Sequence, residues 1–307
     1  MGDPWLAAAL GRQSAWALGS TLAFCAAALA GVQFGAGAQL AVLLAAVIVT
    51  GMPHGAFDHW VARPILARRL GRHWAIPFGA AYLGLSGLVW FAWQATPGAT
   101  LVAFLLASGV HFGLGDTEDG LAPTRVPKIV AVSVYGTLPL LLPVALHSDA
   151  AAPVLAALAG LPVSAMVPVL RSTPWLLPLW AAGFVWVVVA AWRERRGVAE
   201  RLATALGFAL LPPLLAFGLY FGTGHAVRHM LRLGAWHSPC DPRAATRWLA
   251  MTAVPAGALC AAGVAALALA GRDTTVALLT PGFRLIAALT LPHMLVTASL
   301  ERARAPP

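Results

Sequence analysis

Histidines are the residues of this sequence best suited to chemistry, and their surroundings divide the nine of them into two groups. Ionisable side chains inside apolar segments are costly and are functional candidates by default, although a single one can simply bond two helices together. Six such histidines in one chain indicate a site, and imidazole is a common ligand of transition metals. Those within or at the ends of apolar runs are His54, His59, His111, His225, His229 and His293, whereas those in polar connections are His73, His147 and His237.

The spacing of these histidines decides which of them can share one ion. His225 and His229 are four residues apart, so on a helix they project from one face, about 40° from each other, and can bind one metal. His54 and His59 are five apart, about 140° round a regular helix, and cannot share an ion unless the helix breaks. We therefore predict that His54 is a ligand, that Asp58 one turn later orients it, and that His59 is a lesser candidate.

A third histidine motif, HFGLGDTED, ends a later apolar run. His111 begins it, and Asp116 is placed to orient a ligand histidine through its other ring nitrogen. We expect Glu118 and Asp119 to lie in a solvated loop. Neutral imidazoles leave the charge of a divalent ion uncancelled, so nearby carboxylates are electrostatically reasonable. Imidazole suits iron, copper, nickel and zinc about equally, so the ligand type alone does not name the metal.

Composition indicates that membrane helices position these residues. Of 307 residues, 60% are hydrophobic and only 10% are charged, whereas soluble domains have about a quarter charged residues. Lipid must therefore solvate most of the exterior. The net charge of +9 comes from short arginine runs between apolar stretches, as in loops that face an anionic cytoplasmic leaflet. We expect a multi-pass protein of the inner (plasma) membrane and no nucleic-acid binding. The three cysteines have no paired spacing, which argues against a thiolate site and against a disulfide.

The apolar runs predict an all-α bundle of eight to ten membrane segments in one transmembrane domain, residues 1–307. Each run approaches the roughly 20 residues needed to cross the hydrocarbon core. A further stretch, 151–170, contains three prolines and is predicted to be re-entrant or broken. The runs are 15–34, 38–57, 74–95, 99–116, 128–147, 175–192, 202–225, 247–270 and 283–300.

The arginine distribution predicts a cytoplasmic N-terminus and a cytoplasmic 61–73 loop. The topology of the second half stays open, because the connection 226–246 carries arginines as well. If 151–170 does not cross, simple alternation puts His225 on the opposite side from His54 and His111. A shared ion then requires that 151–170 enters the membrane, or that the helix near Pro212 and Pro213 is broken.

Four motifs together resemble the Brp/Blh family of bacterial and archaeal β-carotene 15,15′-dioxygenases. They are GMPHGAFDH at 51–59, HFGLGD at 111–116, GHAVRHM at 224–230 and LPHMLVT at 291–297, in the family's order. The resemblance implies a non-haem Fe²⁺ enzyme of the membrane that splits the central double bond of β-carotene with O2 to give two molecules of retinal.

Carried over by motif, the iron ligands are His54, His111, His225 and His229. His293 is expected near the site, in contact with substrate or beside the ligands, but not as a ligand itself. One departure is Gly224, where the family pattern favours an aromatic residue, and it concerns the shape of the substrate tunnel rather than the metal site.

The implied substrate fits a membrane enzyme, because a C40 polyene partitions into the bilayer core and can enter laterally between helices. The resemblance also implies a functional link to a rhodopsin, which uses retinal. Aromatic residues beside the motifs are candidates to line an apolar tunnel, with ordinary helix packing or interfacial anchoring as the alternative. They are Phe57, Trp60, Phe112, Tyr220 and Phe221.

Two other functions compete with this interpretation. A di-iron lipid desaturase or hydroxylase needs several histidine boxes, because two irons must be bound, and this chain has no HxxHH. A metal transporter or a non-catalytic opsin-assembly factor is the second alternative. A transporter is expected to place carboxylates along a path through the spans, whereas here the acidic residues gather at helix ends.

Overall fold

The computed structural model describes residues 3–118, 125–192, 195–270 and 275–304, and these ranges contain helices and no strand. The predicted all-α fold is confirmed. The α-helices are α1 Pro4–Leu29, α2 Ala36–Ala46, α3 Met52–Gly55, α4 Asp58–Leu70, α5 Ala75–Ala95, α6 Pro97–Thr117, α7 Lys128–Leu146, α8 Ser148–Ala159, α9 Val163–Arg171, α10 Leu177–Ala190, α11 Arg195–Leu210, α12 Pro213–Leu219, α13 Ala226–His237, α14 Pro242–Leu269 and α15 Thr275–Arg304.

Seven continuous helical segments of the described chain are long and apolar enough to cross a membrane, which supports a multi-pass membrane protein. This number is below the predicted eight to ten. The predicted run 15–34 falls mostly in α1, which includes Arg12 and the buried Gln13. The run 202–225 falls in α11 and α12, which are separate helices. The segments are Ala36–His73, Ala75–Ala95, Pro97–Thr117, Lys128–Leu146, Val163–Ala190, Pro242–Leu269 and Leu279–Ser299.

Two breaks interrupt the helices in the second half of the chain. They lie in the two places named above, the stretch 151–170 and the region of Pro212 and Pro213. The stretch 151–170 forms α8 and α9, which pack against each other across Gly160, a residue with φ of 67°. This left-handed conformation favours glycine. A second break separates α11 from α12 and ends at Pro213, whose ring cannot continue a preceding helix. Both breaks lie in the half of the chain whose topology the sequence left open.

Helix α6, which carries His111 and Asp116, packs backbone to backbone on α7. A Cβ on Gly113 would lie 2.0 Å from the carbonyl oxygen of Val132, and one on Gly136 would lie 1.8 Å from that of Gly109. Only glycine allows such an approach, as small residues do at helix interfaces in membranes. The position of α6 is thus determined by contacts outside the histidine cluster.

Two short π-helical segments lie beside the site. One, Val47–Gly51, precedes His54, and the other, Tyr220–His225, ends at a site histidine. The two segments contact each other, and the Thr50 hydroxyl lies 3.2 Å from the carbonyl oxygen of Gly222. π-helical turns inside α-helices occur frequently at functional sites, because the extra residue changes the direction of the following side chains.

Candidate metal centre

Histidines from three helices form the centre of the site. His54 on α3, His111 on α6 and His293 on α15 each offer one ring nitrogen, and the three nitrogens lie within 4.8 Å of one another. These elements are far apart in sequence, so the tertiary fold assembles the group. Three nitrogens at this separation can bind one ion after small side-chain adjustments.

His225 and His229 complete the cluster from the π-helical segment and α13. The Nε2 atoms of His225 and His111 are 3.3 Å apart. The ring centroid of His54 lies 6.3 Å from that of His225 and 5.8 Å from that of His229. The structure thus brings together all four histidines that the motifs predicted as ligands, and His293 joins them.

The remaining histidines lie elsewhere. His59 is exposed, and its Nδ1 bonds the carbonyl oxygen of Ala56 at 2.9 Å. His73 and His237 are also exposed. The Nε2 of the half-buried His147 lies 3.0 Å from the carbonyl oxygen of Phe208. None of these four contacts the cluster within the described part of the chain.

Some ring nitrogens of the cluster are available to a metal ion. Nδ1 of His54 contacts the carbonyl oxygen of Gly51, so its other nitrogen is available. The Nε2 atoms of His229 and His293 are buried and have no hydrogen-bond partner among the described residues. Buried polar atoms are nearly always paired, and these two unpaired nitrogens are chemically suited to bind a metal ion. An all-imidazole donor set fits iron as well as copper, nickel or zinc.

Asp58 contacts a different histidine from the predicted one. Its Oδ1 accepts a hydrogen bond from Nδ1 of His293 at 2.7 Å, and its Oδ2 accepts one from the Tyr82 hydroxyl at 2.8 Å. His54 instead bonds its own helix. The chain turns at Ala56 between α3 and α4, so the regular one-turn relation between residues 54 and 58 does not hold.

Asp116 lies beside His225, as a carboxylate that could orient this ligand. Its Oδ1 is 3.7 Å from Nδ1 of His225, which is longer than a hydrogen bond. Its Oδ2 accepts a hydrogen bond from the Tyr220 hydroxyl at 2.9 Å and lies 3.4 Å from Nη1 of Arg201. Nη2 of Arg201 also donates to the backbone carbonyl of Asp116.

Further buried ion pairs surround this side of the cluster, and the sequence interpretation missed them. Arg228 donates to Glu200 at 2.6 Å, and the Ser14 hydroxyl donates to the same carboxylate at 2.7 Å. Arg232 lies 2.7 Å from Glu118, which was predicted to be in a solvated loop. Glu118 lies in the turn after α6, and its half-buried side chain pairs with this buried cation. Asp119 lies outside the described residues.

The arginine-rich stretches therefore mix two kinds of residue. Arg201, Arg228 and Arg232 are buried and paired in helices, although they were interpreted as charges of membrane-flanking loops. Within GHAVRHM, the placement of Arg228 between two site histidines was the available signal. A cation at that position requires a buried acidic partner, but the sequence does not identify Glu200 as the partner.

Aromatic side chains adjoin the cluster on its apolar side. Phe221 stacks against His225 with an interplanar angle of 16° and meets His54 edge-on. Phe112 also meets His225 edge-on, with ring centroids 4.9 Å apart. Phe57 is fully buried against Trp248, so it belongs to the helix packing. Trp60 also packs near Trp248, with ring centroids 5.9 Å apart.

Comparison with known proteins shows which family this chain belongs to. The family profile described as Beta-carotene 15,15'-dioxygenase matches residues 45–301, which contain all five cluster histidines. The chain belongs to the β-carotene 15,15′-dioxygenase family. Its four motifs, which suggested this family from the sequence, all lie within the matched residues.

Two relatives in the β-carotene 15,15′-dioxygenase family support this membership. The chain is 31% identical to the probable beta-carotene 15,15'-dioxygenase Blh of Halobacterium salinarum, over 90% of this chain and 88% of the relative. It is 28% identical to the beta-carotene 15,15'-dioxygenase of uncultured marine bacterium 66A03, over 61% of this chain and 66% of that protein. No solved structure matches the chain.

Proposed function

We propose that this chain is a carotenoid-cleaving dioxygenase that adds O2 across the central 15,15′ double bond of β-carotene and releases two molecules of retinal. The observation that carries the proposal is the buried histidine cluster with its orphaned Nε2 atoms on His229 and His293. Family membership supplies the reaction class, and the cluster supplies a place for it inside a bundle of apolar helices.

The proposed cofactor is one Fe²⁺ ion held by His54, His111, His225 and His229. Bound iron would supply the activation of O2 that a hydrocarbon substrate requires. The chain's contribution is to hold uncharged imidazoles in a dry site and to leave part of the ion's surroundings open for reactants. The donor set supports iron without excluding copper, nickel or zinc, so the metal is part of the proposal.

The aromatic side chains give the site an apolar wall suited to a polyene. Phe221, Phe112 and Phe217 lie together, since Phe221 stacks on Phe217 and Phe112 meets both rings edge-on. Aromatic walls of this kind bind extended apolar ligands and exclude water. We propose that the central part of the carotenoid lies against this wall, beside the imidazole of His225.

The exterior of the bundle supports delivery of the substrate through lipid. Leu83, Phe91 and Leu106 are among many large apolar side chains that are more than two-thirds exposed, as expected of a surface in contact with acyl chains. We propose that the protein resides in the inner membrane, takes β-carotene from the bilayer, and serves a retinal-binding partner such as a rhodopsin.

The alternative functions have less support. A di-iron desaturase needs roughly twice the ligands of a single iron, and the described cluster contains five histidines. A transporter would line a path with carboxylates, but Asp58 and Asp116 are both buried and bonded beside the cluster. Neither alternative accounts for the family match.

Retinal formation tests the proposal directly. The chain would be co-expressed with β-carotene biosynthesis, and retinal and residual β-carotene would be measured by chromatography for the wild type, His225→Ala and His237→Ala. We expect retinal from the wild type and His237→Ala, whose exposed side chain lies outside the cluster, and none from His225→Ala. Intact β-carotene beside folded, iron-loaded wild-type protein would contradict the proposed substrate.

A further inference from the structure

His293 has two ring nitrogens in contrasting situations. Its Nδ1 is 2.7 Å from Oδ1 of Asp58, and both side chains are buried. Its Nε2 is also buried but has no hydrogen-bond partner among the described residues. A carboxylate on one nitrogen and nothing on the other is the arrangement of a metal-bound histidine, whose outer nitrogen donates to an orienting group.

The position of His293 places its ring among the four predicted ligands. Its ring centroid lies 4.9 Å from that of His54, 5.3 Å from that of His111 and 5.6 Å from that of His229. One of its nitrogens also belongs to the group of three within 4.8 Å. His293 is therefore at least as close to His54 as His225 and His229 are.

Charge gives a second, independent reason. Imidazoles alone do not balance a divalent ion, and two carboxylates lie beside the cluster. Asp116 already has a cationic partner, Arg201, whose Nη1 is 3.4 Å away. For Asp58, the only ion-pair partner within the described ranges is His293, and its other oxygen accepts from the neutral Tyr82. The negative charge of Asp58 is thus available to an ion bound on the far side of His293.

We propose that His293 is a fifth imidazole ligand of the metal and that Asp58 and Tyr82 position it. This inference rests on the proposed metal centre and deepens it, because it adds a ligand to the four that the motifs suggest. Asp58 fixes the tautomer and direction of the ring and increases its basicity, as carboxylates do behind metal-bound histidines. Tyr82 keeps the second carboxylate oxygen satisfied.

A purely structural role leaves one feature without explanation. The His293–Asp58 bond alone would tie α15 to α4, but it would leave the buried Nε2 unpaired beside other imidazoles. An unpaired buried polar atom costs free energy, and a structural contact does not require that cost. A metal ion removes the cost by accepting the lone pair of this nitrogen.

The test measures metal binding rather than turnover. Full-length protein in lipid nanodiscs would be loaded with Fe²⁺ under anaerobic conditions, and iron content, iron affinity and the number of imidazole ligands by X-ray absorption would be determined. The variants are His293→Ala, Asp58→Asn and Tyr82→Phe. The matched control is His59→Ala, which removes an exposed histidine next to Asp58 in the same motif.

We expect the wild type and His59→Ala to bind one iron per chain with five imidazoles. Asp58→Asn should weaken iron binding about 10–100-fold, the usual effect of removing a group that orients a ligand. His293→Ala should weaken it at least as much and reduce the number of imidazoles by one. Tyr82→Phe should have the smallest effect of the three.

Chemical rescue separates a ligand from a structural residue. Free imidazole added to His293→Gly should restore iron affinity and the fifth nitrogen signal, which it would not do if only the fold were damaged. Iron binding by His293→Ala with wild-type affinity and coordination would overturn this inference and leave the four-histidine centre intact. A folded wild type that binds no iron would overturn the proposed metal centre itself.

Discussion

Asp58 and Asp116 flank the histidine cluster in similar ways but have opposite electrostatic surroundings. Each is buried, each accepts a hydrogen bond from a tyrosine hydroxyl, and each has one oxygen facing Nδ1 of a cluster histidine. Asp116 is paired with Arg201, whereas the described partners of Asp58 are the Tyr82 hydroxyl and His293. Arg201 therefore balances the charge of Asp116, whereas no arginine or lysine pairs with Asp58 among the described residues.

This difference indicates that the two carboxylates have different roles. The Asp116 side joins α6 to α11 through Arg201, and the neighbouring Glu200–Arg228 pair joins α11 to α13. These ion pairs hold α6 and α13, which carry His111 and His229, and α13 directly follows the π-helical segment that ends at His225. In the proposed metal centre, the Asp58 side would orient one imidazole. Changes on the first side should therefore affect stability most, and changes on the second side should affect metal affinity most.

The largest effect is expected from Arg201→Ala. This substitution leaves the buried Asp116 carboxylate without its cation, and breaking a buried pair from one side costs about 3–5 kcal/mol. Unfolding in mixed detergent micelles would measure the loss. The exposed Arg171–Asp149 pair is the control, so Arg171→Ala should cost no more than about 1 kcal/mol. Equal losses would contradict the assignment of Asp116 to a structural ion pair.

Two glycines next to the histidines sharpen the comparison. A Cβ on Gly115 would lie 3.0 Å from Cε1 of His225, a contact that forces this ring to move, whereas a Cβ on Gly55 would lie 3.9 Å from Nδ1 of His293, an ordinary contact. We expect Gly115→Ala to lower iron affinity roughly tenfold by displacing a ligand. Gly55→Ala should leave iron affinity unchanged. The reverse order in a metal titration would contradict the described positions of the two rings.

The two tyrosines should show opposite patterns. Tyr220→Phe removes a hydrogen bond to a buried carboxylate and should cost about 1.5–3 kcal/mol of stability, with little change in iron affinity because Arg201 remains. Tyr82→Phe should affect iron affinity more than stability, because Asp58 then keeps only His293. Unfolding and iron titration of both variants measure the pattern. Equal changes in stability and in iron affinity for the two variants would contradict the different roles of Asp58 and Asp116.

The smallest effect is expected at Asp3, a half-buried carboxylate outside the cluster. The backbone N–H of Cys240 donates to it and holds the pKa of Asp3 below its ordinary value. Because the folded-state pKa is the lower one, the stabilisation is present above about pH 4 and is lost as the pH falls through the folded pKa. The small difference in melting temperature between wild type and Asp3→Asn should shrink on acidification, and a constant difference would contradict this contact.

Much of the candidate site was predictable because its histidines occur in short sequence motifs. PHGAFDH, HFGLGD and HAVRH place histidines at spacings that restrict which can share an ion, and the structure brings the predicted four together. The all-α membrane fold followed from hydropathy alone. His59 was assigned lower rank by its helical position and is indeed exposed.

The remaining features depend on long-range contacts that no local pattern encodes. Asp58 was paired with His54 by regular helix geometry, but the turn at Ala56 and the approach of α15 give it His293 instead. Arg201 and Arg228 look like loop arginines until the fold supplies their acidic partners. Hydropathy also does not register the break between α11 and α12, which divides the predicted run 202–225 into two separate helices.

The most direct test of the central claim is a structure of the iron-loaded protein with anomalous scattering recorded at the iron edge. We expect one iron peak per chain, bonded at about 2.1 Å to nitrogens of His54, His111, His225, His229 and His293. Two iron peaks, or a single peak away from these rings, would contradict it.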